Sequence, residues 1–373
     1  MKFVLAPDKY KGSLSGEQFC DAVEEGIKKV FPKAEILKKP LADGGDGTIE
    51  VVKRYLKAKE IEVAVKNPVF QEIQAGYLLS EEKKTAFIEM SEASGYKLLL
   101  KLELNCMHTT SFGTGQLIHD ALDRGAEQIV LGIGGSATND GGIGMAKALG
   151  YQFLDADTKE VEPIGKNLSQ IVDIKREQCH SRIKDVQFKV ACDVKNPFYG
   201  KEGAAYVYGP QKGASKEEVA LLDEGLQNLA QVILKEFGKD VQNIPGSGAA
   251  GGMGGGSVVF LGATLTSGID LIKEMALFDE SIHDADWIIT GEGQLDSQTL
   301  SGKTIAGVLD SARKYQIPVA AFCGSVSVNI HELETLGLTY VTSILNQPGT
   351  LQEAKEKSYD NLVIAAYNFA KLL

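Results

Sequence analysis

One stretch near the middle of the chain leaves little freedom in what can be built around it. Ile129, Val130 and Leu131 form an apolar, β-branched run suited to a central strand. Gly132, Gly134, Gly135 and Ser136 make a glycine-rich turn, and Ile143, Ala146 and Leu149 share one face of a helix beyond it. Asn139 or Asp140 can cap that helix, and Gly150 suits the position just past its end. Strand, tight turn and helix in succession demand an α/β arrangement. The bare N–H groups of such a turn, with the helix dipole behind them, can hold phosphate or carboxylate. Asn139 and Asp140 add oxygen groups beside the turn, although Asp140 reads better as a helix cap than as a catalyst. Glycines also serve tight turns for geometry alone, so the rest of the chain must decide what this turn is for.

At 373 residues the chain is long for one core, and two domains are expected. Its 41 glycines, about 11% against a usual ~7%, fall in clusters, which implies loops built for close backbone approach. A net charge of −11 argues against a nucleic-acid partner and against an anionic membrane surface. No run approaches the roughly 20 apolar residues of a membrane span. The apolar start at residues 3–7 is too short for a secretory signal. Five scattered cysteines without a C-x-x-C pair suit reduced thiols, and five scattered histidines show no metal-ligand spacing. A cytoplasmic location without a zinc site is expected.

Taken in order, residues 3–6 read as a buried strand. Ser15 and Gln18 form a capping box for a helix with the stripe Phe19, Val23, Ile27 and Val30. Residues 35–37 are a second strand, and Thr48 opens a second helix. Near residue 60 the texture changes to three consecutive antiparallel strands, at 61–65, 72–79 and 85–90, with a hairpin at 80–84. A helix is expected over 114–124, strands at 151–154, 188–192 and 204–208, and a long helix over 216–237. After a glycine run at 245–256 and a short helix at 271–277, the α/β rhythm returns. Strands are expected at 287–289, 319–322 and 340–343, with helices over 303–315 and 351–373. The outer segments thus predict a doubly wound parallel sheet of five strands. Residues 1–58 and 282–373 would form it, interrupted by a second, larger α/β domain at 59–281.

Open parallel sheets bind ligands beyond the carboxyl ends of their strands. There this chain carries Asp8 and Lys11; Asp43, Gly44 and Asp46; and Glu292 and Asp296. A carboxylate in one loop would be an ordinary helix cap, but recurrence in three loops points to a cation site or a hydroxyl-activating base. Residues 301–304 imitate the end of a P-loop, yet Ser297 stands where that motif needs glycine. A Walker A assignment fails, and Lys303 remains as a phosphate contact near a helix start. Residues 246–251 fit G-x-G-x-x-G without a preceding strand, which favours a loop lying over nucleotide phosphates rather than a dinucleotide fingerprint. Asp193 follows another buried strand, and residues 209–214 form a polar turn. His108 reads as a cap or loop residue. Glycine cradles, several carboxylates and a few lysines, without Cys or His nucleophile machinery, point to a small-molecule kinase or a nucleotide-binding enzyme.

These motifs resemble the bacterial glycerate kinases of the type that phosphorylates the C2 hydroxyl. The similar stretches are 6–15 (APDKYKGSLS), 40–48 (PLADGGDGT), 132–144 (GIGGSATNDGGIG), 191–194 (ACDV), 209–214 (GPQKGA), 245–254 (PGSGAAGGMG) and 290–296 (TGEGQLD), with Thr299, Gly302 and Lys303. Two departures stand out: Lys9-Tyr10 where the family commonly has Ser-Phe, and Asp46 where it commonly has Glu. The resemblance implies a flavodoxin-like domain interrupted by a larger α/β insert. It also implies ATP-dependent, Mg²⁺-assisted phosphorylation of D-glycerate to 2-phosphoglycerate. On that footing Gly134, Gly135, Ser136, Gly248, Gly251 and Gly252 would hold the ATP phosphates. Asp46, Glu292 and Asp296 would hold the metal, and Asp8, Ser13, Asp43 and Gly44 the substrate. Lys11 and Lys303 would meet the substrate carboxylate or the transferred phosphoryl group, with Asp193 as the base. The alternatives are a glycerate 3-kinase, an ATP-dependent ligase-like enzyme for a small hydroxy acid, and a nucleotide-binding sensor.

Overall fold

Short apolar runs alternating with amphipathic helices build the outer part of the molecule. The structure is a computed structural model and describes residues 1–44, 48–296 and 304–373. Strand β1 (Lys2–Leu5) leads into the helix Gly16–Lys28, which starts at the expected capping box. There the Gln18 N–H donates to Ser15 Oγ at 3.1 Å and the Ser15 N–H to Gln18 Oε1 at 2.9 Å. Phe19, Val23 and Ile27 are buried on its inner face and join the core shared with the terminal helix Ser358–Ala370. Gly26 lets the two helices touch, because a Cβ there would overlap the Val363 carbonyl. β2 (Glu35–Lys38) and the helix Thr48–Leu56 complete this first segment.

The chain then enters the insert. β3 (Lys59–Lys66), β4 (Glu72–Ser80) and β5 (Thr85–Glu89) pair antiparallel in succession, as their alternation predicts. β6 (Gln128–Gly132), β7 (Gln187–Ala191) and β8 (Thr264–Thr266) extend the sheet in parallel from β5, in the order β8-β7-β6-β5-β4-β3. β6 is buried from Ile129 onwards, which its β-branched run anticipates. The long helix Lys216–Phe237 has the predicted length, set by a Ser215–Glu218 capping box and by Gly238 in the left-handed conformation (φ 65°).

Back in the outer part come β9 (Trp287–Thr290), β10 (Val319–Cys323) and β11 (Tyr340–Ser343). With β1 and β2 they form one fully parallel sheet in the order β11-β10-β9-β1-β2. This is the flavodoxin-like order, in which the winding reverses between β1 and β9. The chain packs as two units, 1–55 with 268–373, and 56–267.

Three elements depart from the sequence expectation. Residues 204–208, expected as a strand, form the helix Ala204–Tyr208, which packs on the long helix and on the glycine run. Tertiary packing outweighs the β preference of Tyr206 and Val207, which stay exposed. The helix expected over 271–277 starts at Gly268, breaks at Leu277 (φ 48°) and is followed by Phe278–Ile282. Both helices belong with the outer segments, so the insert ends at Ser267 and not at 281. The terminal helix is two, Leu351–Glu356 and Ser358–Ala370.

Candidate active site

In the outer unit, Asp8 leaves β1 at the point where the sheet order reverses. Its N–H donates to the Gly291 carbonyl at 2.9 Å, tying the loop after β1 to the loop after β9. Asp8 Oδ1 accepts the Lys9 N–H at 2.7 Å, and Oδ2 accepts the Thr304 hydroxyl at 2.6 Å. Burial pushes its pKa up to about 6, helped by neighbouring Asp43 and opposed by Thr304, the Lys9 N–H and Lys11. Glu292 is buried between Gly291 and Gly293, and Gly291 has no room for a side chain because a Cβ would overlap the Phe322 carbonyl. Tyr10 donates its hydroxyl to that same carbonyl at 2.8 Å.

The other expected residues of this unit are spread around Asp8. Asp43 and Gly44 close the loop after β2, with Gly44 at φ 90°. Asp296 is half-buried and Lys11 exposed. Ser13 is engaged within the fold, with its Oγ 3.1 Å from the Lys355 carbonyl and 2.5 Å from Ser358 Oγ. Asp46 and Lys303 lie outside the described residues. A cleft of about 430 Å³ opens beside Asp8, lined also by Ser13, Leu14, Pro40 and Leu41.

In the insert, the turn after β6 exposes Gly134 and Gly135, with Gly135 at φ 69°, and buries Ser136. Beneath it lies Lys212, from the polar turn at 209–214. Its ammonium donates to Ser136 Oγ and to the Thr138 carbonyl, both at 2.7 Å. Burial lowers the Lys212 pKa to about 8, partly offset by Cys106 and Asp140. Asp140 is fully buried and fully used. Its Oδ2 accepts the Ser111 N–H and hydroxyl, both at 2.7 Å, and the Gly144 N–H at 3.2 Å, while Oδ1 accepts the Gly142 N–H at 3.2 Å. It is a clamp on the start of the helix Ile143–Ala148, as its cap reading has it. Thr138 Oγ1 and both polar side-chain atoms of Asn139 are buried without a hydrogen-bond partner among the described residues.

The glycine run is a packing device. Gly248, Gly251 and Gly252 are all buried, and a Cβ on Gly251 would overlap the Thr138 carbonyl, while one on Gly248 would overlap the Pro197 carbonyl. A Cβ on Gly252 would lie 2.8 Å from Gly141 Cα, and the Gly141 N–H donates to the Gly251 carbonyl at 3.0 Å. Close approach to a backbone and close approach to a phosphate need the same residue, so the sequence pattern alone does not separate them. Asp193 is exposed just beyond β7.

Two residues escaped the motif reading. Glu89 ends β5 directly beside Gly132, whose missing side chain makes room for its carboxylate. Burial, with Glu92 nearby, pushes its pKa up to about 7. A lone carboxylate closing an apolar strand was the available signal. The other is Lys212, whose polar turn was visible but whose burial was not. Among the described residues, the one trio of potential metal ligands that converges is His119, Asp123 and His180, on the insert. His119 Nδ1 lies 3.2 Å and His180 Nε2 3.1 Å from the Asp123 carboxylate, a juxtaposition hidden by sequence distance. The Arg182 N–H donates to His180 Nδ1 at 3.3 Å, which puts the ring proton on Nε2 facing Asp123. Hydrogen bonds thus account for the trio.

A glycine turn backed by a buried cation, and carboxylates at the reversal point of a parallel sheet, are the equipment of a small-molecule phosphotransferase. The Glycerate kinase family model matches residues 3–373. A glycerate kinase of Bacillus cereus is 44% identical over 370 residues, covering 99% of this chain and 97% of its own. The glycerate 2-kinase of Escherichia coli K12 is 43% identical over 373 residues, covering 100% and 98%. A crystal structure from Salmonella typhimurium LT2, provisionally described as glycerate kinase 2, superposes with a TM-score of 0.89 at 41% identity, covering 100% of this chain and 98% of that one. The chain belongs to the glycerate kinase family and is an enzyme that phosphorylates glycerate. No helix among the described residues is long and apolar enough to cross a membrane.

Proposed function

We propose that the enzyme transfers the γ-phosphoryl group of ATP to the C2 hydroxyl of D-glycerate, giving 2-phosphoglycerate. The observation that carries this reading is the turn after β6. Exposed Gly134 and Gly135 sit next to Ser136, whose hydroxyl meets a buried ammonium, and this suits phosphate oxygens. The C2 position is supported by the likeness to the E. coli glycerate 2-kinase. Gly251 and Gly252 contribute by pressing their backbone against residues 138–141, holding the turn's far side, while Gly248 packs against Pro197.

The acceptor end is assigned to the outer unit. Asp8, ionised at neutral pH, accepts from a glycerate hydroxyl together with Ser13, Asp43 and Gly44, and Lys11 and Lys303 meet the substrate carboxylate or the transferred phosphoryl group. Asp193 takes the C2 hydroxyl proton. The donor set Asp46, Glu292 and Asp296 is all oxygen and suits Mg²⁺, which commonly uses only one or two carboxylates when phosphates fill its other positions. When bound, Mg²⁺ neutralises charge on the phosphate oxygens. A coupled ADP-release assay over a panel of hydroxy acids, with and without Mg²⁺, tests the reading, with phosphorus NMR of the product. Glycerate-dependent ADP release and a 2-phosphoglycerate signal are expected; 3-phosphoglycerate, or free phosphate without a phosphoester, overturns the regiochemistry or the reaction.

A further inference from the structure

We propose that Lys212 is a positioning residue for the donor phosphates: its buried ammonium charges the turn at 134–138 from behind and turns the Ser136 hydroxyl into a directed donor. The proposal rests on the reading of that turn as the phosphate site. An ammonium has three protons and no lone pair, so in its 2.7 Å contact Ser136 Oγ is the acceptor. The Ser136 hydroxyl proton therefore points away from Lys212, and its donor strength is raised by the charge it accepts from. The second bond, to the Thr138 carbonyl, wraps the segment 136–138 around the same nitrogen.

The protein offsets this charge only in part. Among the described residues Lys212 has no carboxylate within ion-pair distance, although only 4% of the residue is exposed. The groups that face it are Cys106, from the segment before the helix Phe112–Asp123, and Asp140, from the turn itself. Burial pushes the Cys106 thiol up to about 11, so it is neutral, and Asp140, whose oxygens accept from four other donors, favours the ammonium only in part and without a direct contact. A buried ammonium that makes no direct ion pair is costly in a protein interior. A fold that needed only two donors at this point would be served by a neutral amide. What the ammonium adds is charge at Ser136 and Thr138, next to exposed Gly134 and Gly135, where an anion would complete the pair. Its own position is fixed: the Cys106 N–H donates to the Lys212 carbonyl at 3.0 Å, and Gly213, at φ 87°, packs where a Cβ would overlap the Leu104 carbonyl.

The test is ATP affinity by calorimetry without glycerate, from pH 7 to 9.5, for wild type, Lys212→Met and Ser136→Ala. Wild-type affinity should fall above about pH 8, by up to about tenfold per pH unit, as the empty protein loses the Lys212 proton. Lys212→Met should bind ATP roughly 10- to 100-fold more weakly at pH 7, with a flat pH response and little change in D-glycerate affinity. A pH-independent wild-type affinity, or a folded Lys212→Met variant that keeps ATP affinity within about twofold, overturns the proposal. If Ser136→Ala then still weakens ATP, the turn remains the phosphate site without Lys212; if neither substitution matters, the reading of the turn falls too. Should Lys212→Met not fold, the wild-type pH series decides alone.

Discussion

Replacing Asp140 separates a structural carboxylate from a catalytic one. In Asp140→Ala four donors, the N–H groups of Ser111, Gly142 and Gly144 and the Ser111 hydroxyl, lose their acceptor in a fully buried place. An orphaned buried donor costs about 1–3 kcal/mol, but the four share one acceptor and can relax together, so the loss should be about 4–5 kcal/mol. Asp140→Asn keeps one oxygen. If that oxygen takes the place of Oδ2 it retains three bonds, while its amide opposes the Gly142 N–H, and about 2–3 kcal/mol is expected. For a unit of this size each kcal/mol moves the thermal midpoint by roughly 2–4 °C, giving about 4–12 °C for Asn and 8–20 °C for Ala. Calorimetric scans supply the midpoints, and initial rates at 25 °C, normalised to folded enzyme, supply kcat and KM. The clamp reading requires Asp140→Asn to keep kcat within a few-fold. An unchanged midpoint with a hundredfold lower kcat would refute it.

Two further outcomes follow from raised carboxylate pKa values. Glu89, at about 7 when folded against an ordinary 4.5, binds its proton more tightly in the native state, so stability should fall as pH rises from 4.5 to 7. Its part exposure limits this to about 1–2 kcal/mol, and Glu89→Gln should flatten the dependence of the urea midpoint between pH 5 and 8; an unaltered slope rejects the assignment. At Asp8 the Thr304 hydroxyl holds the pKa down. Thr304→Val should therefore move the acid limb of kcat/KM for glycerate to higher pH from about 6, and an unmoved limb would separate Asp8 from substrate binding.

What could be read from the sequence followed from period and punctuation. The capping box at Ser15, the span of the long helix, the apolar run of β6 and the hairpin between β4 and β5 are local signals, and each formed where expected. The strand expected at 204–208 failed because its five residues carry no local mark of the packing that makes them a helix. Asp140 could be read as a cap because two of its four bonds, to the Gly142 and Gly144 N–H groups, lie within the next turn, while its bonds to Ser111 left no local mark. Lys212 and Glu89 could not, because one owes its character to burial under a turn far away in sequence, and the other to the missing side chain of Gly132 on a neighbouring strand. The glycines of 245–256 carried a true signal of close approach without naming what is approached.

The position of β1 has a consequence for biosynthesis. It pairs with β2 on one side and with β9 on the other, and residues 56–267 separate those two neighbours. On the ribosome β1 is made first, and its second edge stays unpaired until β9 is made. At roughly 5–20 residues per second, its second edge waits about 15–60 s for β9 to be made. In that interval the insert, whose residues are contiguous, can fold co-translationally, while Phe3, Val4 and Leu5, all fully buried at the end, stay open to chaperones and to aggregation. Slow folding of the finished chain is therefore expected to be dominated by closure of the discontinuous unit.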